Sequence, residues 1–98
     1  MWVNVLYYRC AAEQIARLQE VGGQVRDTIL SQPGCHLVEF CKVEGEQDLY
    51  FLVEMWDSRE AFKAYEDTVY RTFGPRIESL MEHVSLDRQD VSGDVIIP

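Results

Sequence analysis

The first residues of the chain alternate between two faces, as the side chains of a β-strand do. In residues 2–9, valine and tyrosine side chains fall on one face. The other face is also apolar apart from Asn4. Apolar character on both faces predicts a strand that is covered on both sides. The same alternation recurs in residues 35–43 and 48–56, which the polar residues 44–47 are predicted to join as a hairpin.

Two longer segments repeat apolar residues every three or four positions, the pattern of an amphipathic helix. The first covers residues 13–31 and ends before Pro33-Gly34, which turns the chain. The second begins at Asp57, which we expect to cap the helix while Glu60 reaches back in a capping box. The pattern therefore predicts one helix between the first two strands and another after the third.

The second helical segment is interrupted and then followed by a last strand. Gly74-Pro75 breaks its apolar face, and a strand is predicted at residues 83–89. The order β-α-β-β-α-β predicts an α+β, ferredoxin-like domain over residues 1–90, with a four-stranded antiparallel sheet and both helices on one face. The remaining residues 91–98 are interpreted as a tail, either an arm or a loose end.

The face of the sheet without helices predicts a partner. Several strands are apolar on both sides, so this face would expose several hundred square ångströms of apolar surface, which soluble monomers rarely do. Packing two sheets face to face would bury that surface. We therefore expect a homodimer that forms through the open face of the sheet, a dimeric α+β barrel.

Charge and hydropathy narrow the possible partners. The 98 residues carry a net charge of −8 and contain no basic run, which disfavours nucleic acid and anionic membranes. The N-terminal segment lacks the basic and small-residue features of a signal peptide, and no stretch is long and apolar enough to span a membrane. The cytoplasm is the expected location.

Metal-binding patterns are missing from the sequence. The three cysteines are odd in number and have no CxxC spacing, which predicts reduced thiols rather than a disulfide framework or a zinc site. The two histidines are far apart, so no iron or zinc site is indicated. We expect no metal and no cofactor.

Three segments carry a family resemblance. They are Pro33-Gly34-Cys35 leading into a strand, the block LYFLVEMWDSREAFKAY at residues 49–65, and the long helix that follows. With the order of elements, residues 1–90 resemble the antibiotic biosynthesis monooxygenase family. The resemblance implies a dimeric α+β barrel that oxidises a small aromatic, such as a quinol or an anthrone, with molecular oxygen and no cofactor.

Haem degraders belong to the same family and provide an alternative. They use an asparagine on the first strand, and an aromatic residue and a histidine on the second helix. Asn4 and Tyr65 stand near the first two positions, but residues 58–82 contain no histidine. A haem-binding relative, with His36 or His83 as ligand, therefore ranks behind both a monooxygenase and a non-catalytic small-ligand-binding or regulatory module.

An oxygenase without a cofactor needs a dry aromatic pocket, a group that deprotonates or orients a phenolic substrate, and a polar group for reduced oxygen. Asn4 is a catalytic candidate because an amide among apolar neighbours costs about 1–3 kcal/mol if it stays unpaired. Trp56 could donate its indole N–H, and Tyr65 could transfer a proton. Each is also compatible with a structural role. The substrate-binding candidates are Tyr50, Glu54, Phe62, Phe73 and His36.

The charged candidates each have a second interpretation. Glu54 would be a base if buried, because desolvation raises the pKa of a carboxyl group; a salt bridge across the dimer is the alternative. His36 has a suitable intrinsic pKa, although a surface or dimer contact on an edge strand is favoured. Arg71 and Arg76 could anchor an acidic substrate or lie on a solvated helix face.

Overall fold

The first three predicted strands are present in the computed structural model, which describes residues 1–80, 82–83 and 91–97. Of the predicted last strand, residues 84–89 lie outside the described residues. A further short strand lies in the predicted tail. The strands are β1 (Trp2–Arg9), β2 (Cys35–Lys42), β3 (Leu49–Trp56), β4 (Glu82–His83) and β5 (Val91–Asp94).

The sheet has the order β2-β3-β1-β4, and each of its strand pairs is antiparallel. β2 is an edge strand, as expected. β5 also pairs with β1: Trp2 lies opposite Asp94, whereas Tyr8 lies opposite His83 of β4. Both short strands therefore follow the edge of β1 that β3 leaves free. The predicted ferredoxin-like α+β fold is confirmed.

The first helix, α1 (Ile15–Leu30), follows a short 3-10 turn and matches its predicted range. The second begins one residue later than predicted. Ser58 is its N-cap, since its hydroxyl accepts the backbone N–H of Ala61 at 3.2 Å. The prediction that Asp57 caps this helix was wrong, because its carboxylate is bonded to His36 instead.

The second helix runs through Gly74-Pro75, so the predicted interruption there was wrong. It consists of α2 (Arg59–Tyr65), a π-helical turn (Glu66–Tyr70) and α3 (Arg71–Glu78). Proline lacks an N–H and its ring presses on the carbonyl four residues earlier. The wider turn directly before α3 changes the helical register just ahead of the proline, and such turns are often found at functional sites.

The two faces of the sheet differ in what covers them. The helices cover the closed face, defined by Trp2, Asn4, Leu6 and Tyr8 of β1 and Tyr50, Leu52, Glu54 and Trp56 of β3. The open face carries the alternate residues Val3, Val5 and Tyr7 of β1 and Phe51, Val53 and Met55 of β3, all of them half-buried. The hydrophobic core lies between the closed face and the helices, and it includes Leu18, Val25, Ile29 and Ile77.

The three cysteines agree with the sequence analysis. Cys10, Cys35 and Cys41 are free thiols, as predicted. Within the part of the chain that the structure describes, none of the helices has the length and apolar character that crossing a membrane requires.

Candidate active site

A cavity of about 680 Å³ lies between the closed face and the helices. Its volume falls within the roughly 300–1,000 Å³ of small-molecule sites. β1 and β3 form its floor, and α1, α2 and α3 contribute its walls. Such a cavity was the main requirement for a site that binds an aromatic molecule. The aromatic residues that line it are Trp2, Tyr8, Phe40, Phe62, Tyr65 and Tyr70.

Two polar side chains meet on the floor of the cavity. Asn4 and Glu54 are opposite each other on β1 and β3, and the Asn4 Nδ2 atom donates a hydrogen bond to Glu54 Oε2 at 3.3 Å. Only 8% of Asn4 and 2% of Glu54 is exposed. The buried amide therefore has a protein partner, and that partner is an ionisable group.

Burial raises the pKa of Glu54 to about 7. The Asn4 hydrogen bond and the indole of Trp56 act in the opposite direction, and the nearby charge of Glu66 raises the pKa further. At neutral pH this carboxyl group is divided between its two protonation states, which suits a group that both accepts and returns a proton. The alternative of a salt bridge across the dimer was wrong, because Glu54 faces the helices and is buried within its own protomer.

Aromatic side chains form the wall next to Glu54. Tyr65 is 5% exposed and stacks on Trp56 with ring centroids 5.2 Å apart. Phe62 contacts Trp2 at 4.9 Å and Tyr65 at 6.0 Å. Burial, and then the charge of Glu54, raise the pKa of Tyr65 far above its ordinary value. The Tyr65 hydroxyl consequently stays protonated and is available as a hydrogen-bond donor.

Trp56 stands behind this wall rather than in it. Its side chain is fully buried and is not among the residues that line the cavity. The indole N–H is near enough to Glu54 to lower the pKa of that carboxyl group, yet no described residue completes a hydrogen bond with it. The structure therefore places a spare buried donor beside the ionisable group on the floor.

The sequence analysis missed Tyr70 and Gly74, which complete the wall formed by the second helix. The Tyr70 ring meets Tyr65 edge-on at 6.2 Å, and its hydroxyl donates a hydrogen bond to Glu78. A Cβ atom at Gly74 would stand 2.5 Å from the Tyr70 ring. Glycine is required there by a close approach, whereas the sequence suggested a break in the helix.

Three predicted substrate-binding residues lie outside this cavity. Tyr50 borders a second cavity of about 430 Å³ between α1 and the sheet. Phe73 packs against the hydrophobic core. His36 is exposed at an irregularity of β2, where it pairs with Asp57. Of the candidates, the structure brings together Asn4 and Glu54 with the aromatic pair at positions 62 and 65.

The cations of the cavity are also not the ones that the sequence indicated. Arg71 and Arg76 are exposed and do not line it. Arg59 and Lys63, one turn apart on α2, do. Their spacing of four residues on a helix was visible in the sequence, but nothing in the sequence showed which face of α2 the cavity meets.

The family model for antibiotic biosynthesis monooxygenases matches residues 1–72. This match covers the floor of the cavity and most of its helical wall. The chain belongs to the antibiotic biosynthesis monooxygenase family. The family expectation is thereby confirmed, and with it an enzyme of the monooxygenase type.

Solved structures agree on the fold. A candidate antibiotic biosynthesis monooxygenase from Nitrosomonas europaea superposes with a TM-score of 0.78 at 16% identity, over 99% of this chain and 100% of that one. A second candidate antibiotic biosynthesis monooxygenase, from Deinococcus radiodurans, superposes with a TM-score of 0.78 at 14% identity, over 100% of this chain and 95% of that one. The haem degrader MhuD from Mycobacterium tuberculosis, solved with two haems in its active site, gives 0.74 at 18% identity, over 100% and 98%. No curated protein matches the chain significantly in sequence.

Proposed function

We propose that this family member is a cofactor-independent monooxygenase that oxidises a small aromatic, quinol- or anthrone-like substrate with molecular oxygen. The observation that carries the proposal is a buried carboxyl group, Glu54, with a pKa of about 7 on the floor of an aromatic cavity. Burial gives the group its basicity, and the cavity gives a flat substrate a place beside it.

Glu54 acts as the general base. Its carboxylate takes the proton of the substrate hydroxyl, or of the enolisable carbon of an anthrone. The resulting anion is electron-rich enough to pass one electron to oxygen, and the two radicals combine to form a carbon–oxygen bond. General base catalysis of this kind contributes about 10²–10⁴ in rate.

The same carboxyl group then returns its proton to the substrate peroxide. The oxygen–oxygen bond breaks as the carbon that bears it loses its hydrogen, which leaves a new carbonyl group and one molecule of water. The substrate supplies all four electrons, so one oxygen atom enters the product and the other becomes water. No external reductant is needed.

The neighbouring side chains support these proton transfers. Asn4 donates to Glu54 and so stabilises its ionised form. Tyr65 keeps its proton and is suited to donate a hydrogen bond to a substrate oxygen or to the peroxide. Trp56 acts through Tyr65, on which it stacks, and through the charge of Glu54. Phe62 provides a flat apolar contact for the ring of the substrate.

The proposed assembly is a homodimer formed by the open face. Val5, Val53 and Phe51 and their neighbours on that face are half-buried in one protomer, and none of the described helices lies above them. A soluble protein rarely leaves such a surface to water. Face-to-face packing of two copies would cover it and would leave each cavity on the outer, helix-covered side of its own sheet.

Oxygen uptake by the metal-stripped protein tests the proposal. A panel of hydroquinones and anthrones would be assayed with the native chain, Glu54→Gln and the control Glu60→Gln. Glu60 is an exposed carboxylate of α2 that does not line the cavity. We expect enzyme-dependent uptake that falls at least about a hundredfold in E54Q and stays unchanged in E60Q.

The pH dependence provides a second criterion. Uptake should rise with pH as Glu54 ionises near pH 7, and this step should be missing from the residual activity of E54Q. Rates no faster than autoxidation across the panel, with a folded protein, would contradict the oxygenase and favour a dimeric small-ligand-binding module of the same fold. Uptake that is equal in E54Q and the native chain would exclude Glu54 as the base.

A further inference from the structure

The charged side chains of the cavity differ in depth. Glu54 lies on the floor and is 2% exposed, whereas Arg59 and Lys63 are exposed residues of α2 that border the same cavity. Positions four apart on a helix lie on one face, so the two cations stand one above the other at the rim. A molecule that fills the cavity would therefore meet a carboxyl group at its buried end, and at its wet end the two cations beside the carboxylates of Glu66 and Glu78.

Most of these charges already have partners. The Lys63 Nζ atom lies 3.2 Å from Glu66 Oε1, and Glu78 accepts the hydroxyl of Tyr70. Glu54 accepts the amide of Asn4. Arg59 differs from them: no described residue of the chain forms a hydrogen bond or an ion pair with its guanidinium group.

We propose that Arg59 is a specificity-determining residue that binds a carboxylate of the substrate. The substrate class is then a hydroxylated aromatic acid, with its ionisable hydroxyl group near Glu54 and its carboxylate at the rim. The orientation of the hydroxyl group rests on the proposed function, whereas the binding of the carboxylate does not. A guanidinium group matches a carboxylate because its two parallel N–H donors fit the two oxygens.

The charge of the whole chain strengthens this assignment. With a net charge of −8 the protein repels anions in general, so an anionic ligand needs a local cation where it enters. Arg71 and Arg76 do not line the cavity, and Lys63 is engaged by Glu66. Arg59 is therefore the cation at the rim that can accept an anionic group without breaking an existing pair among the described residues.

A matched pair of probes separates the carboxylate from the ring. 6-Hydroxy-2-naphthoate carries its hydroxyl group and its carboxylate at opposite ends, and its methyl ester differs only by the lost charge. Binding of each would be measured by calorimetry at neutral pH without oxygen, to the native chain, Arg59→Gln and Arg71→Gln. Arg71 is exposed and does not line the cavity, so R71Q is the matched control.

We expect the native chain and R71Q to bind the acid about fivefold more tightly than the ester, the effect of an exposed ion pair. In R59Q this preference should disappear while the affinity for the ester stays the same. Added salt should reduce the preference in the native chain and leave R59Q unaffected.

Three results would overturn the inference: a preference for the acid that survives in R59Q, equal binding of both probes by the native chain, or binding of neither. The oxygen-uptake test is independent of them. A preference for the acid without oxygen uptake would leave an aromatic-acid-binding site and remove the oxygenase. Oxygen uptake with neutral quinols and no preference for the acid would support the oxygenase and remove the proposed role of Arg59.

Discussion

The closed and open faces of the sheet use the same two strands for opposite purposes. Across β1 and β3 the closed face pairs Asn4 with Glu54 between apolar neighbours, and helices bury this pair within one protomer. The open face pairs Val5 with Val53, and its charged residue on these two strands, Arg9, is exposed at the end of β1. Each face is thus specified by alternate residues of one sequence, yet on β1 and β3 only the closed face buries a carboxyl group.

The difference shows how burial decides what a residue can do. A carboxyl group on the open face would be covered only by a partner, so its pKa would depend on association. Glu54 is desolvated by its own chain, and its raised pKa is a property of the folded protomer. The proposed dimer contact and the proposed chemistry can therefore be broken separately, by substitutions at adjacent residues of β3.

The largest effect is expected from Val53→Asp on the open face. In a two-fold symmetric contact the substitution buries two unpaired carboxylates, at a cost of at least about 3 kcal/mol, or more than a hundredfold in the dimer dissociation constant. Analytical ultracentrifugation should find monomers at concentrations where the native chain is dimeric. Val53→Thr, which keeps the shape without the charge, should remain dimeric. A folded V53D dimer as tight as the native one would exclude this interface.

The next effect concerns Glu54 and the dependence of stability on pH. Its folded-state pKa of about 7 lies above the ordinary 4.5, so the folded state binds this proton more tightly than the unfolded state. The resulting stabilisation is complete below about pH 4.5 and is lost as the pH rises through 7. Its size is about 3 kcal/mol, the free-energy equivalent of that difference in pKa.

Urea unfolding of Glu54→Gln at pH 5 and pH 8.5 measures this pH-dependent contribution of Glu54 to stability. The native chain and the exposed control Glu60→Gln should both lose stability between the two pH values. The decrease should be about 2.5 kcal/mol smaller in E54Q, because its amide does not titrate and most of the effect of Glu54 falls between these two pH values. Equal decreases in all three proteins would show that Glu54 is hydrated in the folded state.

The alternation of side chains was enough to predict both faces of the long strands, and the order of the elements predicted the ferredoxin-like sheet. Residues 2–9 and 48–56 each place apolar side chains on two faces, and that pattern requires cover on both. The path of the second helix could not be predicted in the same way. A wider π-helical turn lets it pass Gly74-Pro75, and a local pattern of turn residues contains no information about such a change.

The candidate site was predictable only in part, for a related reason. Period two places Asn4 among the closed-face residues of β1, and the polar exception among apolar neighbours singled it out. The importance of Glu54 depended on burial, which requires the helices to be in place. Arg59 could not be distinguished from Arg71, since both lie on the same helical segment and only the packing decides which one borders the cavity.

A smaller effect is expected where the closed face meets its helical wall. Gly74→Ala would place a Cβ atom 2.5 Å from the Tyr70 ring, which is held by its contacts with Tyr65 and Glu78. Such overpacking costs about 1–3 kcal/mol. Gly23→Ala is the control, because nothing lies within 4 Å of its Cβ position and alanine favours a helix by up to about 1 kcal/mol. The free energy of unfolding in urea should therefore fall in G74A and rise in G23A. A stabilised G74A would contradict the close approach.

The smallest effect is expected from Asn4→Ala, and it tests the link between the two polar residues of the closed face. In the native chain the Asn4 hydrogen bond lowers the pKa of Glu54. The substitution removes this donor and should cost about 1 kcal/mol of stability. The midpoint of the pH–rate profile should rise above 7, because the ionised carboxylate loses a hydrogen bond.

A double-mutant cycle with Glu54→Gln distinguishes this effect from a general loss of packing. In the E54Q background, Asn4→Ala should leave the pH dependence of stability unchanged, since the group whose ionisation it influences is no longer there. If N4A alters that dependence equally in both backgrounds, the hydrogen bond does not act through Glu54. The polar pair would then contribute only to the packing of the closed face, as the valine pair does on the open one.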